Sequence, residues 1–91
     1  MIKQWNLKAF GVVQDVCLRF ETCKKAKNLD LTGWVRNLND GRVEIMAKGK
    51  ETNLDKLYNW LKSSPGYSNI ENIKKVEVSQ VQKFDEFIIL Y

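Results

Sequence analysis

Asn39-Asp40-Gly41 is the strongest structural instruction in the chain. Asp and Gly accept the positive φ that a tight hairpin needs, and alternating apolar residues flank the turn on both sides. Residues 31–38 read as a strand with Trp34 and Arg36 on one face and Val35 and Asn37 on the other. Residues 42–48 return as its partner, with Val43, Ile45 and Ala47 forming one apolar face. An antiparallel pair is therefore set near the middle of the chain, and every other segment has to pack around it.

The flanking segments read in a definite order. Residues 5–10 (WNLKAF) alternate in polarity and form a first strand that ends at Gly11. From Arg19 onward, Phe20, Cys23, Ala26 or Lys27, and Leu29 make a helix face that closes near Asn28. After the hairpin, Leu54, Leu57, Tyr58 and Leu61 fall at i, i+3, i+4 and i+7, with Thr52 as cap and Ser63-Ser64-Pro65-Gly66 as stop. Residues 73–81 alternate through Val76 and Val78, and residues 84–90 form a last apolar segment that continues the strand after a break near Gln82-Lys83. Strand, helix, two strands, helix, strand is the β-α-β-β-α-β order of a ferredoxin-like α+β sandwich. The expectation is an antiparallel sheet with two helices on one face.

Ninety-one residues make one domain, 1–91, and a hydrophobic fraction of 44% with 11% aromatics is enough to fill its core. The formal charge of +4 favours anionic partners, but no run of basic residues is longer than two (Lys24-Lys25, Lys74-Lys75), which reads as a solvated surface. The start has no apolar stretch of signal-peptide length and no segment is long enough to span a bilayer, so a cytoplasmic protein without membrane contact is expected. Cys17 and Cys23 read as reduced thiols, one in a loop and one in the core.

What is missing narrows the chemistry. With no histidine, imidazole general-base catalysis and His-ligated metal sites are excluded. Six residues after Cys17 stands Cys23, not arginine, so the Cys-x5-Arg phosphatase loop is absent, as is a Gly-x-x-x-x-Gly-Lys-Ser/Thr nucleotide loop. Carboxylates are scattered rather than clustered as metal ligands.

One stretch remains that can carry function. Gly11-Val12-Val13-Gln14-Asp15-Val16-Cys17-Leu18-Arg19 runs from a strand through a short loop to the start of a helix. Backbone N–H groups there are unpaired donors and the helix dipole favours negative charge. Arg19 adds a planar, permanently charged fork suited to phosphate oxygens. The dipole disfavours a cation at this position unless an anion occupies the site, which argues against an incidental arginine.

This stretch resembles the first signature of the acylphosphatases, and Gly33-Trp34-Val35-Arg36-Asn37-Leu38-Asn39-Asp40-Gly41-Arg42-Val43-Glu44 resembles the second. Ala26, Leu29 and Leu31 between them also fall where that family places its residues. The resemblance implies metal-free, cofactor-free hydrolysis of the carboxyl-phosphate bond of a small acyl phosphate. It further implies that Arg19 binds phosphate, that Asn37 holds the attacking water, and that the backbone of Gln14, Asp15, Val16, Cys17, Leu18 and Arg19 surrounds the phosphate oxygens. It implies a monomer acting on a small molecule, with no nucleic acid and no membrane as partner. Because acyl phosphate carries a good leaving group, positioning and charge stabilisation supply most of the catalysis, and a phosphate oxygen can take the proton from water. Arg36 and Asp40 read as a solvated strand residue and a turn residue, and Trp5, Trp34 and Trp60 as packing.

Two residues depart from the family pattern: Asp15 stands where glycine is usual, and Leu18 where an aromatic is usual. Asp is among the few residues besides glycine that tolerate a left-handed turn. A carboxylate ~4 Å from a bound anion costs about 1 kcal/mol in water and about 4 kcal/mol at a partly buried surface, unless it points to solvent. The departures open an alternative, a relative that binds phosphate with weakened turnover. An RNA-binding module shares the element order, but residues 42–47 lack the aromatic strand pattern it needs.

Overall fold

The structure is a computed structural model and describes residues 1–79 and 82–91. Seven elements follow one another: β1 (Ile2–Val12), α1 (Leu18–Asn28), β2 (Thr32–Asn37), β3 (Val43–Lys50), α2 (Glu51–Lys62), β4 (Asn69–Glu77) and β5 (Phe87–Ile89). The sheet order is β4-β1-β3-β2-β5. The hairpin forms as its turn dictates, with Asn37 opposite Val43 and Val35 opposite Ile45. β1 lies on the other side of β3, so Ala9 and Asn37 both sit beside Val43.

Both helices cover one face. Trp5, Leu7, Ala9, Val35, Val43, Ile45, Ala47 and Phe87 point from the strands into a single buried cluster. Leu54, Leu57 and Leu61 from α2 and Leu18, Cys23 and Ala26 from α1 close it from above. Burying each large aliphatic side chain contributes about 1.5–3 kcal/mol, so this layer is what holds the sandwich together. No helix among the described residues is long and apolar enough to cross a membrane.

The sheet differs from the all-antiparallel expectation at its far edge. β1, β3, β4 and β2 pair antiparallel, but β5 runs parallel to β2, with Phe87 opposite Gly33 and Ile89 opposite Val35. The cause is a crossing. β4 descends beside β1 on one edge, and the chain then passes to the opposite edge before rising along β2. Gln82 marks the passage: its N–H donates to Gln4 Oε1 at 2.7 Å, and its carbonyl accepts from Lys48 Nζ at 2.9 Å. The last segment is therefore a separate strand and not a continuation of β4. β4 itself begins earlier than expected, at Asn69, and the expected strand's end at residues 80–81 lies outside the described residues.

Three local readings also shift. α2 starts at Glu51, directly after β3, so Thr52 lies inside the helix and does not cap it. The Glu51 N–H instead donates to the Met1 carbonyl at 3.1 Å, which satisfies one of the donors a cap would serve. α1 starts at Leu18 and buries Leu18, Thr22, Cys23 and Ala26, while Phe20 is 61% exposed. Leu18, Thr22 and Ala26 are spaced by four, one stripe along the helix. Val76 stands exposed on the face of the sheet that has no helices.

That open face carries a polar knot across three strands. Glu44 is only 7% exposed and accepts hydrogen bonds from Asn6 Nδ2 at 3.0 Å and Arg36 Nε at 2.8 Å, with Lys8 Nζ 3.5 Å away. Burial pushes the Glu44 carboxyl up, but the hydrogen bonds from Asn6 and Arg36 and the charges of Arg36 and Lys8 outweigh it and leave the group below its ordinary range. Arg36, expected as a freely solvated residue, is thus tied to Glu44 and also lies 4.9 Å over the Trp34 ring. A depressed carboxylate stabilises the fold above its unfolded-state value and loses that contribution as pH falls through its folded-state value. The urea midpoint of the wild type is therefore expected to drop between about pH 5 and pH 3. Glu44→Gln should be less stable at pH 7 by about 1–3 kcal/mol and should lose less on acidification. Parallel pH profiles for the two proteins would contradict this role for Glu44.

Candidate active site

The topology brings three chain ends to one edge of the sandwich. β1 leaves the sheet at Val12, β2 ends at Asn37 and β5 ends at Ile89, all at the same end. Between β1 and α1 the chain makes a tight loop in which Asp15 has φ 60° and Cys17 has φ 62°. Two left-handed residues separated by one other turn the backbone sharply here, a conformation of the kind from which anion-binding nests are built. Val13, 2% exposed, and Leu18, 2% exposed, plug the loop into the core on either side. Leu18 therefore serves as an apolar anchor.

Among the described residues, the N–H groups of residues 15–20 find no backbone or side-chain acceptor; the first donor of α1 to find one is Glu21, to the Cys17 carbonyl at 3.0 Å. α1 has no side-chain cap. These unpaired donors belong to the loop and helix start beside one open cleft of about 380 Å³, which Asp15, Cys17, Leu18, Arg19 and Asn37 line together. Arg19, in the first turn of α1, is half-buried, with its guanidinium 5.2 Å from the centroid of the Tyr91 ring. On the facing side, Asn37 Oδ1 is buried and has no hydrogen-bond partner among the described residues. An orphaned acceptor in a cleft lined with donors calls for a water or a ligand hydroxyl.

Not every expected site residue enters the cleft. Gln14 and Val16 do not line it. The Gln14 side chain instead turns to the hairpin, where Nε2 donates to the Leu38 carbonyl at 2.7 Å and to the Arg42 carbonyl at 3.0 Å. The same Arg42 carbonyl accepts from the Leu38 N–H at 2.8 Å. Gln14 thereby fixes the loop to the strand that carries Asn37. Asp40 keeps its expected role: its carboxylate accepts from the Arg42 N–H at 3.1 Å and from Arg42 Nε at 2.7 Å, and the Arg42 hydrogen bonds hold its carboxyl below the ordinary range. Cys17 is exposed and Cys23 buried, both free.

Sequence reasoning missed Phe20, Ile89 and Tyr91, which form the cleft's apolar wall. Nothing in the periodicity of α1 pointed Phe20 outward, and the parallel docking of β5 that brings Ile89 and Tyr91 over Arg19 depends on the crossing described above. Among the described residues, no three or more of His, Cys, Asp and Glu group as metal ligands.

Unpaired amides beside an arginine, on a ferredoxin-like sandwich, make an arrangement suited to a small oxyanion. The acylphosphatase family model matches residues 5–89. An acylphosphatase of Marinobacter nauticus is 42% identical over 86 residues, covering 94% of this chain and 94% of its own. One from Acaryochloris marina is 45% identical over 80 residues, covering 88% and 85%. Among solved structures, the acylphosphatase from Bacillus subtilis superposes with a TM-score of 0.93 at 33% identity, over the whole of both chains. The chain belongs to the acylphosphatase family and is, with it, a hydrolase.

The Gln14 clamp gives a direct expectation. Gln14→Met keeps the side chain's length but removes both of its hydrogen bonds, leaving the Leu38 and Arg42 carbonyls with only their backbone donors, the Gly41 and Leu38 N–H groups. Stability should fall by about 1–3 kcal/mol, and amide exchange at Leu38 and Gly41 should accelerate relative to the rest of the sheet. Exchange unchanged at both amides would show the clamp to be inert.

Proposed function

We propose that the chain hydrolyses small acyl phosphates to carboxylate and inorganic phosphate, with Arg19 and the amides of residues 15–20 holding the phosphoryl group and Asn37 holding the water. The observation that carries the proposal is the orphaned Asn37 Oδ1, buried at a cleft that Asn37 lines together with Arg19 and with Asp15, Cys17 and Phe20, whose N–H groups have no acceptor among the described residues. A water that donates to Asn37 Oδ1 has its lone pair free to face the cradle. The guanidinium and the amides cancel the charge on the non-bridging phosphoryl oxygens, which otherwise repels the approaching water.

The reaction then needs little else. The water oxygen forms a bond to phosphorus in line with the bond that breaks, and the acyl oxygen departs with the bonding pair as a carboxylate. One water proton passes to a phosphoryl oxygen, so no side-chain base takes part. The absence of histidine is consistent with this scheme. The fixed geometry supplies proximity, and the preset donors supply electrostatic stabilisation without reorganisation. Two free thiols, one of them exposed, suit a reducing compartment, so we place the activity in the cytoplasm, in a monomer acting on soluble small molecules.

Phosphate release from benzoyl phosphate tests this directly. The wild type should turn over at an unchanged rate in excess EDTA. Arg19→Ala should lose about 10²–10³ in kcat/KM and bind inorganic phosphate more weakly. Asn37→Ala should lose a similar factor in kcat while the inhibition constant for phosphate stays near the wild-type value. Both should keep the wild-type circular dichroism. Turnover by Arg19→Ala at the wild-type rate would remove the cradle assignment, and phosphate binding without turnover by the wild type would make this a binding relative.

A further inference from the structure

The cleft holds one feature that anion binding does not use and in fact opposes. Asp15 lines it, is exposed, and makes no hydrogen bond or ion pair among the described residues. Among the described residues, Arg19 is the one cationic side chain lining the cleft, and the phosphoryl group occupies it in the reading above. With substrate bound, Asp15 therefore stands as a negative charge on the cleft wall without an ion-pair partner among the described residues. The remaining wall consists of Phe20, 61% exposed, Ile89, and Tyr91, 99% exposed, with the Tyr91 ring stacked on Arg19. The acyl arm, leaving the phosphoryl group, meets these apolar surfaces and a carboxylate.

We propose that Asp15 is a specificity-determining residue, and that this site selects acyl phosphates with an uncharged aromatic or aliphatic acyl arm against those carrying a second carboxylate or phosphate. The inference rests on the acyl phosphate reading above and names the substrate class of the same site. A second negative charge about 7 Å from a carboxylate lowers binding by about threefold in water and by about fiftyfold at a surface dielectric. The apolar wall adds to the preference, since an aromatic acyl group covers exposed Phe20 while a charged one gives up hydration there. The left-handed conformation holds the Asp15 backbone, so the side chain stays rooted in the cleft wall when substrates change.

The test uses two substrates of the same chemistry, benzoyl phosphate and 4-carboxybenzoyl phosphate, and reads the ratio of their kcat/KM values. Intrinsic reactivity cancels when that ratio is compared between variants. Asp15→Asn removes the charge and keeps a residue that tolerates positive φ, and Asp15→Gly does the same without a side chain. The wild-type ratio should favour benzoyl phosphate, and both variants should lower it by about tenfold. In the wild type 0.5 M KCl, with a screening length of about 4 Å, should lower the ratio towards the variants' value, whereas the variants' ratio should hardly move. A wild type that hydrolyses benzoyl phosphate with a ratio insensitive to both substitutions overturns the charge filter alone, and so does a wild-type ratio insensitive to salt. A wild type that hydrolyses neither compound overturns the acyl phosphate reading first.

Discussion

Among the described residues, the backbone N–H groups of residues 15–20, between β1 and the first turn of α1, have no acceptor, and the rest of this small protein is arranged so that they can stay that way. Unpaired donors are costly unless something occupies them, and a chain free to relax would turn them toward its own carbonyls. Here it is not free. Asp15 and Cys17 are held at positive φ, Val13 and Leu18 are packed into the core, and the Gln14 amide bonds two carbonyls of the hairpin. The loop is thus preorganised by packing on both sides and by one side-chain clamp, and in the proposed function its cost in stability is what equips it to hold an anion.

Arg19 belongs to the same balance. A cation in the first turn of a helix opposes the macrodipole, and Arg19 has no carboxylate partner among the described residues. The Tyr91 ring beside it gives the guanidinium a face to rest on without taking up its hydrogen-bond donors. An oxyanion in the cradle relieves both the unpaired amides and the misplaced charge. In the proposed reaction, binding energy falls on the phosphoryl group, where the charge changes, and the acyl arm is left to the apolar wall and Asp15.

Much of this was legible in the residues, for identifiable reasons. The Asp40-Gly41 turn and the alternation around it set the central hairpin, and the i, i+3, i+4, i+7 leucines set α2, because both signals are local. Asn37 was placed on the face of Val35 by strand alternation alone, and the structure puts both on the helix side of the sheet. What could not be read depends on distant contacts. The parallel docking of β5 follows from a crossing tethered by Gln82 to Gln4 and Lys48. The Gln14 clamp joins residues far apart in sequence, and Phe20 carries no local mark of its exposure. The missing Thr52 cap has a similar origin, since the Met1 carbonyl meets Glu51 only once β1 and β3 have paired.

The central claim is that the free amides and Arg19 form a single oxyanion cradle, and a titration with inorganic phosphate followed by amide and guanidinium NMR tests it most directly. The account predicts saturable shifts that share one dissociation constant at the amides of residues 15–20 and at Arg19 Nε, and that vanish in Arg19→Ala. Shifts scattered over the basic surface, or saturation elsewhere with residues 15–20 unmoved, would contradict it.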